Sequence, residues 1–325
     1  MKALVYDGGL ACRDIPEPRQ EGGVIISVKK AGICGTDLAI ASGDYKVRTP
    51  LVLGHEIFGT AWRVPEGRSE LQGKRCVTEI NVGCGKCHFC EAGVRSHCVK
   101  GAALGISRDG GFAEYLSTPA ENVHPVPDSI RDEEAVFVEP LAACIQLTKM
   151  SRIDPQSTCA VVGPGRMGLL IVQVLRTIPP GEIVVIGHEG PKLEMARRFG
   201  AVGFDAGEIA SALDFTDGEK FDNVIEATGN PAGLDLALAI IKPRGTLHLK
   251  STHGLPVGLD VTKVVVDELR IQGSRCGPFD EAIGLLSDGR VTVQELITHR
   301  FALDECEKAF KAASSKNAIK TIFEI

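Results

Sequence analysis

Between Cys159 and Gly168 the chain reads Cys-Ala-Val-Val-Gly-Pro-Gly-Arg-Met-Gly, an apolar run that breaks into three spaced glycines and resumes as a helical pattern. A buried strand, a tight turn and a helix in that order admit few architectures, because the helix must fold back over the strand it follows. Gly163 permits the turn, Gly165 lets backbone approach a pyrophosphate as Arg166 and Met167 open the helix, and Gly168 lets helix and strand pack closely. The alternation continues, with strands expected at 183–187, 223–227 and 245–250 and helices at 167–177, 191–199 and 232–241. A parallel, doubly wound α/β sheet that binds a dinucleotide is therefore expected from near Cys159 to about residue 272.

The second strand of that pattern ends Val185-Ile186-Gly187-His188-Glu189. Sites selective for NAD place a carboxylate about 20 residues beyond the glycines, where it binds the ribose hydroxyls. Gly187 occupies that place. With no acid there a 2′-phosphate is not repelled and His188 can donate to it, whereas Glu189 opposes it unless turned outward. NAD and NADP both stay open, with the balance toward NADP.

A second constraint lies in the run CGKCHFCEAGVRSHC, which holds Cys84, Cys87, Cys90 and Cys98. Thiolates two residues apart on Gly-containing turns can converge on the tetrahedral geometry of zinc, and a sulfur from the next turn closes the shell. Two disulfides or a redox pair are the competing readings, and they would suit a secreted chain or a βαβ context, neither of which is found here. A sealed all-thiolate site holds structure and performs no reaction.

The chain has 325 residues, 44% of them hydrophobic, a formal net charge of −6 and 11 cysteines. Such a length supports two domains. A mildly acidic chain with scattered Lys and Arg argues against nucleic acid as a partner, and no apolar run is long enough to span a bilayer. Met1 to Tyr6 passes directly into strand-like alternation, with no export signal, so a cytoplasmic protein with reduced thiols is expected.

Residues before about 140 carry short β-type runs such as 24–28 and 60–64, broken by Gly, Pro and polar turns. The last fifty residues suggest helices at 279–286 and 303–313 and a closing strand at 319–325. Three further fragments hold zinc-type ligands: Cys34-Gly35-Thr36-Asp37, His55-Glu56 and Val138-Glu139-Pro140. Each alone has an ordinary reading, as a small buried thiol, a core imidazole or a solvated carboxylate. Together they offer a mixed thiolate, imidazole and carboxylate set of the kind that leaves a coordination position open.

With these fragments, Gly110-Gly111-Phe112-Ala113-Glu114-Tyr115, Glu226-Ala227-Thr228-Gly229 and the pattern from Phe301-Ala302-Leu303 to Ala309-Phe310, the chain resembles the zinc-dependent medium-chain dehydrogenases. The resemblance runs over essentially the full length and points to the alcohol, polyol, threonine and sugar branch. It implies a GroES-like β-rich domain from residues 1–143 and 274–325, with a structural-zinc lobe near 83–100, and a Rossmann domain from 144–273, the active site lying in the cleft between them. Two zinc ions per chain are implied, one held by Cys84, Cys87, Cys90 and Cys98 and one catalytic ion by Cys34, His55 and Glu139, with Glu56 a direct or exchanging ligand.

Under the same resemblance Asp37 orients the His55 ring and Thr36 relays the substrate proton, while Ala227 and Thr228 join Gly163, Gly165, Arg166, Met167, Gly168, Gly187, His188 and Glu189 around NAD or NADP. The implied reaction moves a hydride between an alcohol, polyol or sugar hydroxyl and the nicotinamide. One departure stands out: many relatives carry a relay histidine five residues beyond the cysteine ligand, where this chain has Ala39, so the proton must leave by water and ribose or through a residue such as Asp44. Glu79 and Asn81 are candidates to read substrate hydroxyls, and residues 261–273 resemble an edge through which relatives form homodimers or homotetramers. A zinc-free enone or quinone reductase and a catalytically silent zinc-stapled scaffold are the competing functions.

Overall fold

Val24–Gly32 (VIISVKKAG) is long, β-branched and almost wholly buried, and the first half of the molecule is assembled around it. The computed structural model describes residues 1–178, 181–252 and 256–325, which divide into one unit of Met1–Pro140 with Phe279–Ile325 and another of Leu141–Pro278. In the first unit, Val24–Gly32 lies in a seven-stranded sheet, paired with Glu56–Arg63 on one side and with Lys320–Glu324 on the other, and with Tyr115–Thr118 along its first residues. Strands Arg75–Thr78, Val123–Pro125 and Ile297–Ala302 complete the sheet. The far end of the sequence is thus hydrogen-bonded into the strand that leads to Cys34. Smaller sheets hold Lys2–Tyr6 between Leu10–Asp14 and Leu51–Val52, and Asn81–Val82 against Ala102–Ala103.

Apolar alternation on these strands fills one main core. Phe112 is fully buried there and meets Phe323 and Phe310 edge-on, with ring centroids 5.0 and 6.3 Å apart, an arrangement that adds to the area each ring removes from water. The helix Cys306–Ala313 lays Cys306, Ala309 and Phe310 on the same core.

The second unit contains a six-stranded parallel sheet in the order Val202–Asp205, Ile183–Gly187, Cys159–Val162, Phe221–Glu226, Ile241–Leu249, Arg270–Gly273. Strand order reverses beside Cys159–Val162, and such a switch point opens a crevice at the carboxyl ends of the strands. Its middle strands are apolar throughout because both faces are covered. The strand Val202–Asp205 and the helix Ile209–Asp214 are additions to the elements read from the sequence. Val-Gly-Phe-Asp is only partly buried at the sheet edge and lacks the continuous apolar run that marks its neighbours. Ile241–Leu249 starts earlier than expected, carrying Lys242-Pro243-Arg244 past a register shift against Phe221–Glu226. Among the described residues no helix is long and apolar enough to cross a membrane.

One polar cluster ties separate parts of the first unit together. His124 places Nε2 3.0 Å from Glu79 Oε1 and Nδ1 3.0 Å from Asp280 Oδ1, while Arg95 Nη2 lies 3.1 Å from the same Glu79 oxygen. Burial opposes protonation of His124, but the two carboxylates outweigh it and hold its pKa above the usual imidazole value.

Phe112→Ala should cost about 3–5 kcal/mol, read as a lowered denaturant midpoint; a loss below about 1 kcal/mol would show that this core collapses around the deletion. The His124 cluster has a defined pH signature. Its folded pKa is raised, so its stabilisation is complete below the unfolded imidazole value and fades as pH rises through the folded one. His124→Asn should therefore lower the melting temperature by more at pH 5.5 than at pH 9, and an equal drop at both would refute the protonated bridge.

Candidate functional site

Cys34 lies two residues beyond the strand Val24–Gly32 and caps the helix Gly35–Ser42, while Glu56 opens the paired strand Glu56–Arg63 and His55 immediately precedes it. Register places Gly32 opposite Glu56. Donor atoms of Cys34, His55 and Glu56 consequently lie within 4.8 Å of one another. Glu139, second residue of the helix Val138–Met150, falls outside that trio, yet its charge acts on His55.

Asp37 holds the two fragments together. Its carboxylate is fully buried and accepts from the Cys34 amide at 2.8 Å and the Gly54 amide at 3.2 Å, with Oδ1 3.8 Å from His55 Nδ1. Burial pushes its pKa up to about 6, against the pull of His55 and the two amides. Burial alone would depress His55, but Cys34 and Asp37 overcome it and raise the ring to about 10. A half-buried thiol beside a buried imidazole and buried carboxylates forms an anion-rich pocket that a dication would neutralise.

Glu56 is also fully buried, and Lys320 answers it. Lys320 Nζ donates to Glu56 Oε2 and lies 3.5 Å from the Ile33 carbonyl and 5.5 Å from the Phe137 ring centroid. Burial lowers the Lys320 pKa to about 8, against the attraction of Cys34 and Asp37. The other Glu56 oxygen, Oε1, is buried with no hydrogen-bond partner among the described residues, as is His55 Nδ1. Gly32 makes room for the pair, since a Cβ there would fall 2.3 Å from Glu56 Oε2 and 2.9 Å from Lys320 Nζ. Donor identity, convergence and an unused carboxylate oxygen all fit a zinc ion. Lys320 is a residue the sequence reading missed. Its signal was a lysine embedded in Ile-Lys-Thr-Ile-Phe, an apolar strand in which a charge needs a counter-ion.

Thr36, Asp44 and Glu79 are not part of that trio. Thr36, in the first turn of the helix after Cys34, is half-buried, and its hydroxyl makes no hydrogen bond among the described residues. Asp44 is exposed and accepts from Ser42 at 2.7 Å. Glu79 is engaged by His124 and Arg95 as described.

Cys84, Cys87, Cys90 and Cys98 gather their sulfurs within 4.8 Å. Cys87 lies 3.6 Å from both Cys90 and Cys98. Four bonds of about 2.3 Å to one tetrahedral ion place sulfurs roughly 3.8 Å apart, so the spacing fits zinc. A hydrogen bond from the Cys90 amide helps lower the Cys87 pKa to about 6, favouring the thiolate that binds metal.

In the second unit the glycine loop takes the form its spacing implies. A Cβ on Gly168 would strike the Gly163 carbonyl at 2.0 Å, and one on Gly163 would meet Thr228 and the Ala227 carbonyl near 3 Å, whereas the space above Gly165 is open. Helix Arg166–Thr177 starts from Gly165. Glu226, fully buried, accepts from the Thr228 amide and hydroxyl at 2.6 Å each and from the Gly229 amide at 3.3 Å, clamping the Ala227–Thr228 turn against that loop. The sequence clue to Glu226 is a carboxylate at the end of the buried strand Phe221–Glu226.

The chain matches the alcohol dehydrogenase GroES-like domain over residues 20–128 and the zinc-binding dehydrogenase family over residues 167–288. It is 33% identical over 342 residues to L-threonine 3-dehydrogenase of Bacillus subtilis, covering 99% of this chain and 98% of that one. Sorbitol dehydrogenase of Halalkalibacterium halodurans is 30% identical over 341 residues, with 99% and 98% covered. Among solved structures, an alcohol dehydrogenase of Escherichia coli CFT073 in complex with NADH superposes with a TM-score of 0.90 at 30% identity, covering 100% of this chain and 99% of that one. The chain belongs to the zinc-dependent medium-chain dehydrogenase family.

Lys320→Met would leave the buried Glu56 carboxylate without its counter-ion. The metal-free protein should lose about 3–5 kcal/mol, and added zinc should raise its melting temperature by more than it raises that of the wild type. A metal-free variant as stable as the parent would show that the pair carries no such weight.

Proposed function

We propose that this protein transfers a hydride between the hydroxyl-bearing carbon of a secondary alcohol, polyol or sugar and NAD or NADP, with the reduction of the matching carbonyl as the reverse reaction. The observation that carries the reading is the convergence of Cys34, His55 and Glu56 around an anion-rich, buried point in a chain that also holds a dinucleotide loop. Threonine and sorbitol dehydrogenases among the relatives support a substrate bearing adjacent polar groups.

When bound, zinc supplies Lewis acidity and the nicotinamide supplies the hydride acceptor. Cys34, His55 and Glu139 are proposed as the ligands of the catalytic ion. Glu56 is poised to join or exchange through its unused Oε1. Asp37 keeps the Cys34 and His55 loops in register and orients the imidazole. The Thr36 hydroxyl would accept the substrate proton while releasing its own, and with Ala39 in place of a relay histidine that proton would pass to water or to a residue such as Asp44. Cys84, Cys87, Cys90 and Cys98 are proposed to hold a second, structural zinc. NADP is favoured over NAD by the missing carboxylate at Gly187.

The protein is proposed to act in the cytoplasm as a homodimer or homotetramer. Support for association comes from Val261, Val265 and Val266, 63%, 69% and 72% exposed beside the edge strand Arg270–Gly273. Three exposed valines on one short helix, followed in the chain by an edge strand, are the kind of apolar surface that association covers.

Elemental analysis should find two zinc ions per chain, falling to one in Cys34→Ser, which abolishes turnover, and to one in Cys90→Ser, which lowers the melting temperature. One zinc in the parent protein would favour a silent scaffold, and none a zinc-free reductase. Thr36→Ala should lower kcat by about 10²-fold or more with both metals retained, followed as NAD(P)H absorbance across alcohols, polyols, threonine and aldoses; near-normal turnover would remove Thr36 from the mechanism.

A further inference from the structure

A cavity of about 250 Å³ lies in the first unit, between the segment that follows Leu10–Asp14 and the segment that precedes Tyr115–Thr118. Among the described residues, its lining includes none of the side chains assigned to zinc and none of the glycine loop. Such a volume is just below that of a drug-sized pocket and admits one small organic molecule. Ile15, Pro16 and Leu116 supply apolar wall, and Val52 is held there from both sides: its amide donates to Asp109 Oδ1 at 3.0 Å and its carbonyl accepts from the Gly110 amide at 2.8 Å.

The polar part of the lining is short of an anion. Arg108 is half-buried, and its Nη2 donates to the carbonyl of Ser117, another lining residue, at 3.2 Å. A guanidinium has five donors in a fork that matches a carboxylate, and among the described residues Arg108 spends one of them and has no ion pair. Arg19 lines the same cavity and is likewise without an ion pair among the described residues. Two acids are present. Asp109 is committed to the Val52 amide, and Glu21 is exposed and pairs with neither arginine. Tyr115 completes the lining, its ring packed on Trp62 with centroids 4.7 Å apart.

We propose that this cavity is a second, non-catalytic site that binds a small organic carboxylate, its charge paired with Arg108 and its apolar body set against Ile15, Pro16 and Leu116. The site uses none of the residues assigned to zinc, coenzyme or proton transfer, so it stands or falls apart from the hydride-transfer reading.

Trp62 is the single tryptophan of the chain, and its contact with Tyr115 makes its fluorescence a local reporter. It stands six residues along Glu56–Arg63 from Glu56, about 20 Å at the rise of a strand, so a ligand at the metal trio would not touch it. Benzoate and benzamide have nearly the same shape and differ in charge. Benzoate should change Trp62 emission saturably and bind at least about tenfold tighter than benzamide, the ordinary worth of one charge-assisted contact. Arg108→Gln should bring benzoate to within about twofold of benzamide, and Arg108→Lys should keep part of the preference as a point charge without the fork. No saturable response to benzoate, equal affinities for the two probes, or a preference that survives Arg108→Gln would overturn the proposal. The contrast between the probes is read on the parent protein, so it decides the matter even where Arg108→Gln fails to fold.

Discussion

The Asp37 carboxylate is the interaction on which the metal pocket depends. Two loops distant in sequence deliver a thiol and an imidazole, and Asp37 fastens both by accepting an amide from each. A buried anion is costly unless donors surround it, and here its donors are backbone amides whose positions fix those of the neighbouring ligands. Alternatives that separate Cys34 from His55 leave a desolvated carboxylate unsatisfied. The same charge draws positive partners toward the pocket, first a protonated His55 and then, in the reading favoured here, zinc.

Glu56 and Lys320 extend this electrostatic arrangement to the opposite side. Buried carboxylates and a half-buried thiol crowd together, and one buried ammonium offsets part of their charge. Gly32 is the geometric condition, because any side chain would occupy the volume of the ion pair. Rigid strands carry the pocket, which favours the sub-ångström placement that catalytic groups require.

Much of this was legible in the chain. Cys84 to Cys98 and Gly163 to Gly168 declare themselves because local spacing alone determines how the backbone must turn. The strand Cys159–Val162 and the helix after it could be read from apolar periodicity. The edge strand Val202–Asp205 could not, since half-buried positions with a glycine among them lack a clear pattern. Lys320 and Glu226 were hidden for another reason: each acts through a partner chosen by tertiary packing, and periodicity carries no record of partners. The link from Glu79 to His124 was illegible in the same way, since that neighbour is contributed by the adjacent strand.

Lys320 lies 264 residues beyond the glutamate it neutralises. Chains emerge from the ribosome amino end first, and their early portions begin to fold as they appear. Cys34, His55 and Glu56 are thus made long before their counter-charge exists. During that interval the nascent polypeptide carries a cation-hungry pocket lacking its last wall, and the closing strand Lys320–Glu324 acts as a late-arriving keystone that commits the site to its mature form.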